Sequence, residues 1–190
     1  MRSVAVCHAE SSWRVTAAEA EALIRAHEAG DSRALEEILT PYEAPLFRVC
    51  IGILGNREDA EDAVQETLLR ALRSLPRFRG ESGVRTWLQR IAINVCLEWK
   101  RRRRNAAALD EAAGARDPQP GPDAIAIQQA MVFEALASLT PRQRAAVVLH
   151  VVEGLTMQEI AATLGWTPKK VENELYRARQ ALARWRASHE

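Results

Sequence analysis

Cysteine is scarce: a chain of 190 residues has three, Cys7, Cys50 and Cys96. They are odd in number, far apart and without a CxxC, which excludes a disulfide framework and a zinc ribbon or finger. Cys50 in "FRVCIGIL" and Cys96 in "AINVCLEW" read as small buried hydrophobes. Cys7 stands beside His8 in an N-terminal extension over residues 1–15, where exposed thiols are more often inert than reactive. Histidine is scarce too, and His8, His27, His150 and His189 have no local partners that would make a catalytic or metal set. "HEAGD" at 27–31 shares its first two residues with the HExxH zinc helix. Asp31 stands where the second His must lie, however, and Gly30 weakens the helix there, so a metallohydrolase is remote and a helix ending at Gly30 is the plain reading.

Long apolar runs are also missing. "AAVVLHVV" at 145–152 stops far short of the roughly 20 residues of a membrane span. The N-terminus has no apolar signal core, so a cytoplasmic protein without membrane insertion is expected. Neither charge sign dominates, the formal net charge being +1, and 47% hydrophobic with 27% charged residues is a folding, globular composition. The length suits one ordinary domain or two small ones. Strand-like alternation with hairpin dipeptides is absent, which leaves an all-α chain.

Helix signals are what the sequence has in quantity. "TAAEAEALIRAHEAG" at 16–30 opens on a Thr cap and closes on Gly, and "DSRALEEIL" restarts after an Asp cap. Pro41 and Pro45 are expected to separate this from "LFRVCIGIL", and Gly55-Asn56 to break the chain again. In "REDAEDAVQETLLRALRSL", Ala60, Val64, Leu68 and Leu72 form one stripe, ended by Pro76. After "RFRGESG", the stripe Val84, Leu88, Ile91 and Val95 marks another helix, with Trp87 beside it and Arg85, Gln89 and Arg90 expected on the wet side. Its last turns are "NVCLEWKRRRR", where cations suit the carbonyl end of the helix dipole.

Residues 105–126 then change character. Pro118, Pro120, Gly121 and Pro122 forbid regular structure, and little apolar surface is present. They read as a flexible linker between a first helical domain at 16–104 and a second at 127–190. In the second, Thr140 with Gln143 and Thr156 with Glu159 fit the capping box, Thr167-Pro168 supplies a third helix start, and Gly154 and Gly165 supply stops. "TMQEIAATL", "GWT" and "PKKVENELYRARQAL" have the proportions of a helix-turn-helix. Ile160, Ala161 and Leu164 would pack against Val171, Leu175, Ala178 and Leu182, leaving Lys169, Lys170, Asn173, Arg177 and Arg179 facing outward with the chemistry of phosphate and base-edge contacts.

The near-zero net charge hides a pattern. Residues 57–66 carry five acids against one base, and residues 77–104 carry nine bases against two acids. Phe78, Trp87 and Trp99 lie among the bases, as in proteins that hold unstacked bases and a single-stranded backbone.

"DAEDAVQETLLRALRSLPRFRGESGVRTWLQRIAINVCLEWKRRRR", followed at linker distance by "LTPRQRAAVVLHVVEGLTMQEIAATLGWTPKKVENELYRARQAL", resembles a bacterial sigma factor of the extracytoplasmic-function group. The resemblance covers most of the chain from about Thr16. It implies a dissociable specificity subunit of RNA polymerase that binds promoter DNA, has no catalytic activity or cofactor of its own, and is restrained by an anti-sigma factor. On the matching positions it implies contact with core polymerase by Asp59, Asp62, Gln65 and Glu66. It implies capture of the opened promoter element by Phe78, Trp87, Arg90 and Asn94, with Lys100, Arg101, Arg102, Arg103 and Arg104 holding phosphates beside the melting site. The upstream duplex element would be read by the recognition helix through Lys169, Lys170, Glu172, Asn173, Arg177 and Arg179. There are two departures from the family pattern: Val84 stands where an aromatic is common, and Glu172 and Glu174 enter a helix that is often basic. One of the two acids, Glu172 ahead of Glu174, is expected to accept from a cytosine amino group, with Glu174 pairing with Lys170 or Arg177; the alternative is that both are solvated and only temper non-specific binding. The competing reading is a stand-alone helix-turn-helix regulator with an N-terminal sensing or dimerisation domain.

Overall fold

The computed structural model describes residues 17–78, 83–109 and 124–189, with side chains over 21–78, 83–105 and 131–189. The N-terminal extension, the Thr16 cap and residues 110–123 lie outside the described residues. All regular structure among those described is helical.

Helix α1, Ala17–Glu28, stops at Gly30, whose φ of 66° is left-handed. Asp31 then starts α2, Ser32–Leu54, its carboxylate accepting the Ala34 N–H at 3.0 Å. The break expected at Pro41 and Pro45 does not occur, because α2 runs through both. Each proline removes one backbone donor and costs ~3 kcal/mol in a helix interior. Against that, Leu39, Leu46, Val49 and Ile53 are buried at helical spacing, each stabilising by ~1.5–3 kcal/mol, so burial of one face outweighs both interruptions.

Gly55, at φ 78°, closes α2 with its N–H on the Ile51 carbonyl. Asn56 caps α3, Arg57–Ser74, by accepting the Asp59 N–H at 3.0 Å. Ala60, Ala63, Val64, Thr67 and Ala71 make its buried face, and a 3-10 turn holding Pro76 ends it. Helix α4 covers Val84–Leu109. It continues beyond the boundary expected at Arg104, and α5, Ala124–Ala137, begins inside the stretch read as linker, so residues 105–109 and 124–126 are helical.

The C-terminal starts fall where the capping chemistry puts them. Thr140 with Gln143 and Thr156 with Glu159 form complete capping boxes on α6, Pro141–Val147, and α7, Met157–Leu164. Thr167 caps α8, Pro168–Ala187, and Gly165 ends α7 at φ 65°. The sequence carries no sign of the π turn Val148–Val152 that prolongs α6, in which the Glu153 N–H reaches back five residues to the Val148 carbonyl.

The two helical regions, α1–α4 and α5–α8, do not keep separate cores. One continuous set of buried side chains links Leu46, Val49, Ile53, Leu88 and Cys96 of the first to Ala145, Val148, Leu149, Ile160 and Val171 of the second. Helix α2 packs on α6 and the π turn, and α4 packs on α6 and α7. Gly52 is what allows the approach: a Cβ there would stand 2.7 Å from Val148 Cγ2. Cys50 and Cys96 are buried free thiols, and the neighbouring Cys50 thiol, with burial, pushes the Cys96 thiol up, so it stays protonated.

Candidate nucleic-acid interface

Helix α8 carries the first candidate surface. Val171 and Ala178 are buried and Leu175 and Leu182 half-buried, which leaves Lys169, Asn173, Arg177 and Arg179 exposed along the other side. Lys170 is half-buried, its ammonium 4.7 Å from the centre of the Trp166 ring in the turn. Glu174 pairs with Arg177 at 3.8 Å, one of the two partners expected for it. Glu172 lies exposed and takes Lys169 at 2.9 Å.

Of the four α3 residues expected to meet polymerase, Asp62 and Gln65 are exposed, whereas Glu66 bonds Arg70 at 2.6 Å and Asp59 is held by both terminal nitrogens of Arg103. A cleft of about 540 Å³ opens beside them between α2 and α3, with Glu43, Phe47, Glu61 and Gln65 in its wall. The expected polymerase contact thus has two free-standing members, an adjoining groove, and one acid engaged by a cation assigned to DNA.

The five consecutive cations do not act as a unit. Lys100 turns inward, its ammonium donating to the Leu54 carbonyl at 2.9 Å, and burial pulls its pKa down. It closes α2 rather than standing ready for phosphate. Arg102 pairs with Glu98 and Arg103 with Asp59, while Arg101 and Arg104 point to solvent with Asn105 beside them. Phe78 is buried and stacked on Trp87, ring centres 4.5 Å apart, and Asn94 is exposed. Val84, where the family pattern often has an aromatic, is fully in the core.

The face of α4 read as wet is covered. Gln89 is 1% exposed, and Arg85 and Gln89 both donate to Glu153, at 2.7 and 3.0 Å. Arg90 is exposed in part but donates to the Ala162 and Thr163 carbonyls at the end of α7. The stripe of α4 correctly marks the side packed within the first region; the second region occupies the adjoining side, which local periodicity does not register.

Sequence reasoning missed the residues that make this joint: Arg48, Gln89, Arg144 and Glu153. Arg144 is 7% exposed and donates to the Ile53 carbonyl at 2.9 Å, so α2 ends on two cations, this one and Lys100. The Glu153 side chain, 1% exposed, also takes Arg48 at 3.4 Å. The available signal was a lone acid closing an apolar run in "VVLHVVEG", where a carboxylate needs a partner from elsewhere. Among the described residues no group of three or more His, Cys, Asp or Glu is placed to hold a metal, and no helix is long and apolar enough to cross a membrane.

Two family models match the chain: Sigma-70 region 2 over residues 38–106, and Sigma-70, region 4 over residues 129–182. The ECF RNA polymerase sigma factor SigM of Mycobacterium tuberculosis is 35% identical over 164 residues, covering 85% of this chain and 82% of that protein. SigE of Mycolicibacterium smegmatis is 34% identical over 169 residues, and the match covers 84% of this chain and 65% of that relative's length. Of solved structures, CnrH in complex with the cytosolic domain of CnrY has the same fold, with a TM-score of 0.68 over 90% of this chain and 99% of that one at 24% identity. Region 2 therefore ends in the basic turns of α4, region 4 contains the helix-turn-helix, and the chain belongs to the extracytoplasmic-function group of RNA polymerase sigma factors.

Proposed function

We propose that this chain is a dissociable subunit that binds core RNA polymerase, recognises promoters and takes part in opening them. Sigma factors are not enzymes, and the reading assigns the chemistry to polymerase. The observation that carries it is the pairing of the two matched regions in one chain, with the acidic rim of α3 beside an open groove in the first and an exposed basic face on α8 in the second. Asp62 and Gln65 lead the polymerase contact because they are exposed and beside that groove; Asp59 and Glu66 join after exchanging Arg103 and Arg70 for partners on the polymerase. Lys169, Lys170, Glu172, Asn173, Arg177 and Arg179 read and hold the upstream duplex.

Opening is assigned to α4 and the turn before it, between those two surfaces: Arg103 touches Asp59 of α3, and Arg90 touches the end of α7. Trp87 and Asn94 with Arg90 capture unpaired bases, the buried Phe78 backing the Trp87 ring it stacks on, and Arg101, Arg102, Arg103 and Arg104 hold the backbone, binding energy offsetting the few kcal/mol that unstacking costs per base. Because Arg90 is engaged by α7, this step requires the two regions to part. A regulator that covers the polymerase-binding surface fits the same scheme; the sigma factor RpoE of Bartonella quintana was solved with the anti-sigma factor NepR.

The test is binding to core polymerase. Asp62→Lys combined with Gln65→Ala should weaken core affinity at least tenfold while leaving helical circular dichroism unchanged. Unaltered affinity refutes the assignment of α3, and failure of the unmodified chain to bind core refutes the sigma-factor reading in favour of a stand-alone regulator.

A further inference from the structure

The geometry points to a phosphate cradle that the chain fills with its own carboxylate: we propose that Arg48, Arg85 and Gln89 bind a backbone phosphate of DNA, and that Glu153 occupies their site in the closed molecule as a stand-in for that phosphate. The proposal rests on the promoter-opening reading above.

Three donors from two helices converge on one anion. Arg85 Nη2 and Gln89 Nε2 lie 2.7 and 3.0 Å from one Glu153 oxygen, and Arg48 Nε lies 3.4 Å from the other. Arg85 and Gln89 are four residues apart on α4 and so share one face, with Arg90 adjoining it. A carboxylate and a phosphate offer the same paired acceptor oxygens to a guanidinium. The donors belong to the first region and the acceptor to the second, so the site is filled in cis only while the regions are together.

The choice of chemistry also needs a reason. A joint between two helical regions is held at least as well by apolar side chains, since desolvating an ion pair consumes most of its attraction. Here the apolar joint exists already, through Val148, Leu149 and Ile160. Placing a carboxylate with a side chain 1% exposed among two arginines and an amide adds an element whose groups prefer a charged partner when separated. When the regions part, Arg48, Arg85 and Gln89 lose Glu153 and Arg90 loses the α7 carbonyls, next to the aromatic residues that would hold a strand. Promoter phosphates and Glu153 then compete for the same donors, and DNA binding becomes linked to opening of the protein.

The experiment uses the full chain without polymerase. Glu153→Gln, Arg85→Gln and the double variant are compared with the unmodified protein in radius of gyration by X-ray scattering, and in affinity for a short labelled DNA single strand and its duplex across a salt series. Both single variants should expand the molecule. Glu153→Gln alone should bind DNA several-fold more tightly, with the log affinity falling more steeply against log salt by about one for each additional phosphate neutralised. Arg85→Gln should show no gain, and the double variant should lose most of the gain. A gain limited to the single strand assigns the phosphate to the displaced strand, and a gain with both probes assigns it to either backbone; each supports the cradle. Expansion of Glu153→Gln with unchanged DNA affinity, absence of expansion, or a gain that persists in the double variant overturns it. A reading on the unmodified chain guards against a variant that does not fold: saturating DNA should speed amide exchange over residues 148–155, and unchanged exchange also overturns the proposal. Core binding by the unmodified chain, measured alongside, reports on the sigma-factor reading separately.

Discussion

Glu98 shows how single side chains divide the basic end of α4. It takes Arg70 from α3 at 2.9 Å and Arg102 from its own helix; the Arg70 hydrogen bond above all, opposed in part by desolvation and aided by the charges of Arg102, Arg70 and Arg101, holds its carboxyl below the usual range. A carboxyl with a lower value folded than unfolded contributes stability above its unfolded value, near 4.5, and loses it as pH falls through the folded one. Glu98→Gln should therefore lower the melting temperature at neutral pH, and the difference from the unmodified protein should shrink in increasingly acid buffer. A difference independent of pH would show that the charge is not what matters. The same rotation that gives Glu98 two partners explains why the run of five cations was legible as basic but not as a site. Successive residues turn about 100° round a helix, so five in a row cannot share a face. Lys100 enters the core edge, Arg103 meets Asp59, and Arg101 and Arg104 remain in solvent.

At the scale of elements, signals that are local and polar were readable. Asp31, Thr140, Thr156 and Thr167 cap the helices they precede, and Gly30, Gly55, Gly154 and Gly165 take the left-handed backbone their positions require. Signals that depend on distant packing were not. Pro41 and Pro45 fail to stop α2 because the segment's apolar face is covered by α3 and α4, and Arg85 and Gln89 leave the solvent because Glu153 reaches them from a region far along the chain. Of the candidate site, residue types and helix faces were legible on α3 and α8, while the covering of α4 was not. On α8, the second helix of the helix-turn-helix, the proposed base contact bears on specificity. Glu172 keeps acceptor capacity beyond its bond to Lys169, and it lies exposed beside Asn173. Glu172→Gln should relax upstream preference at one base position by about 1–3 kcal/mol, read from a library of upstream sequences. A uniform rise in affinity across the library would show instead that the acid merely tempers attraction to phosphate.

The whole molecule is knit at a point where one hydrogen atom substitutes for a side chain. Gly52 faces the branched, fully buried Val148, and Gly52→Ala places a methyl 2.7 Å from its Cγ2, too close for both to stay in place. Overpacking of this kind costs about 1–3 kcal/mol, and here the strain falls on the joint rather than within either region. Scanning calorimetry of the unmodified chain should give a single transition whose measured and van't Hoff enthalpies agree, and Gly52→Ala should resolve it into two. Two transitions in the unmodified chain would refute the unity of the core. Seen as heat, that shared core makes each region a ligand of the other. Anything that takes hold of the parted form withdraws the mutual support, so such a partner would leave its trace in a melting curve first as lost sharpness, with two shallow steps replacing one steep one.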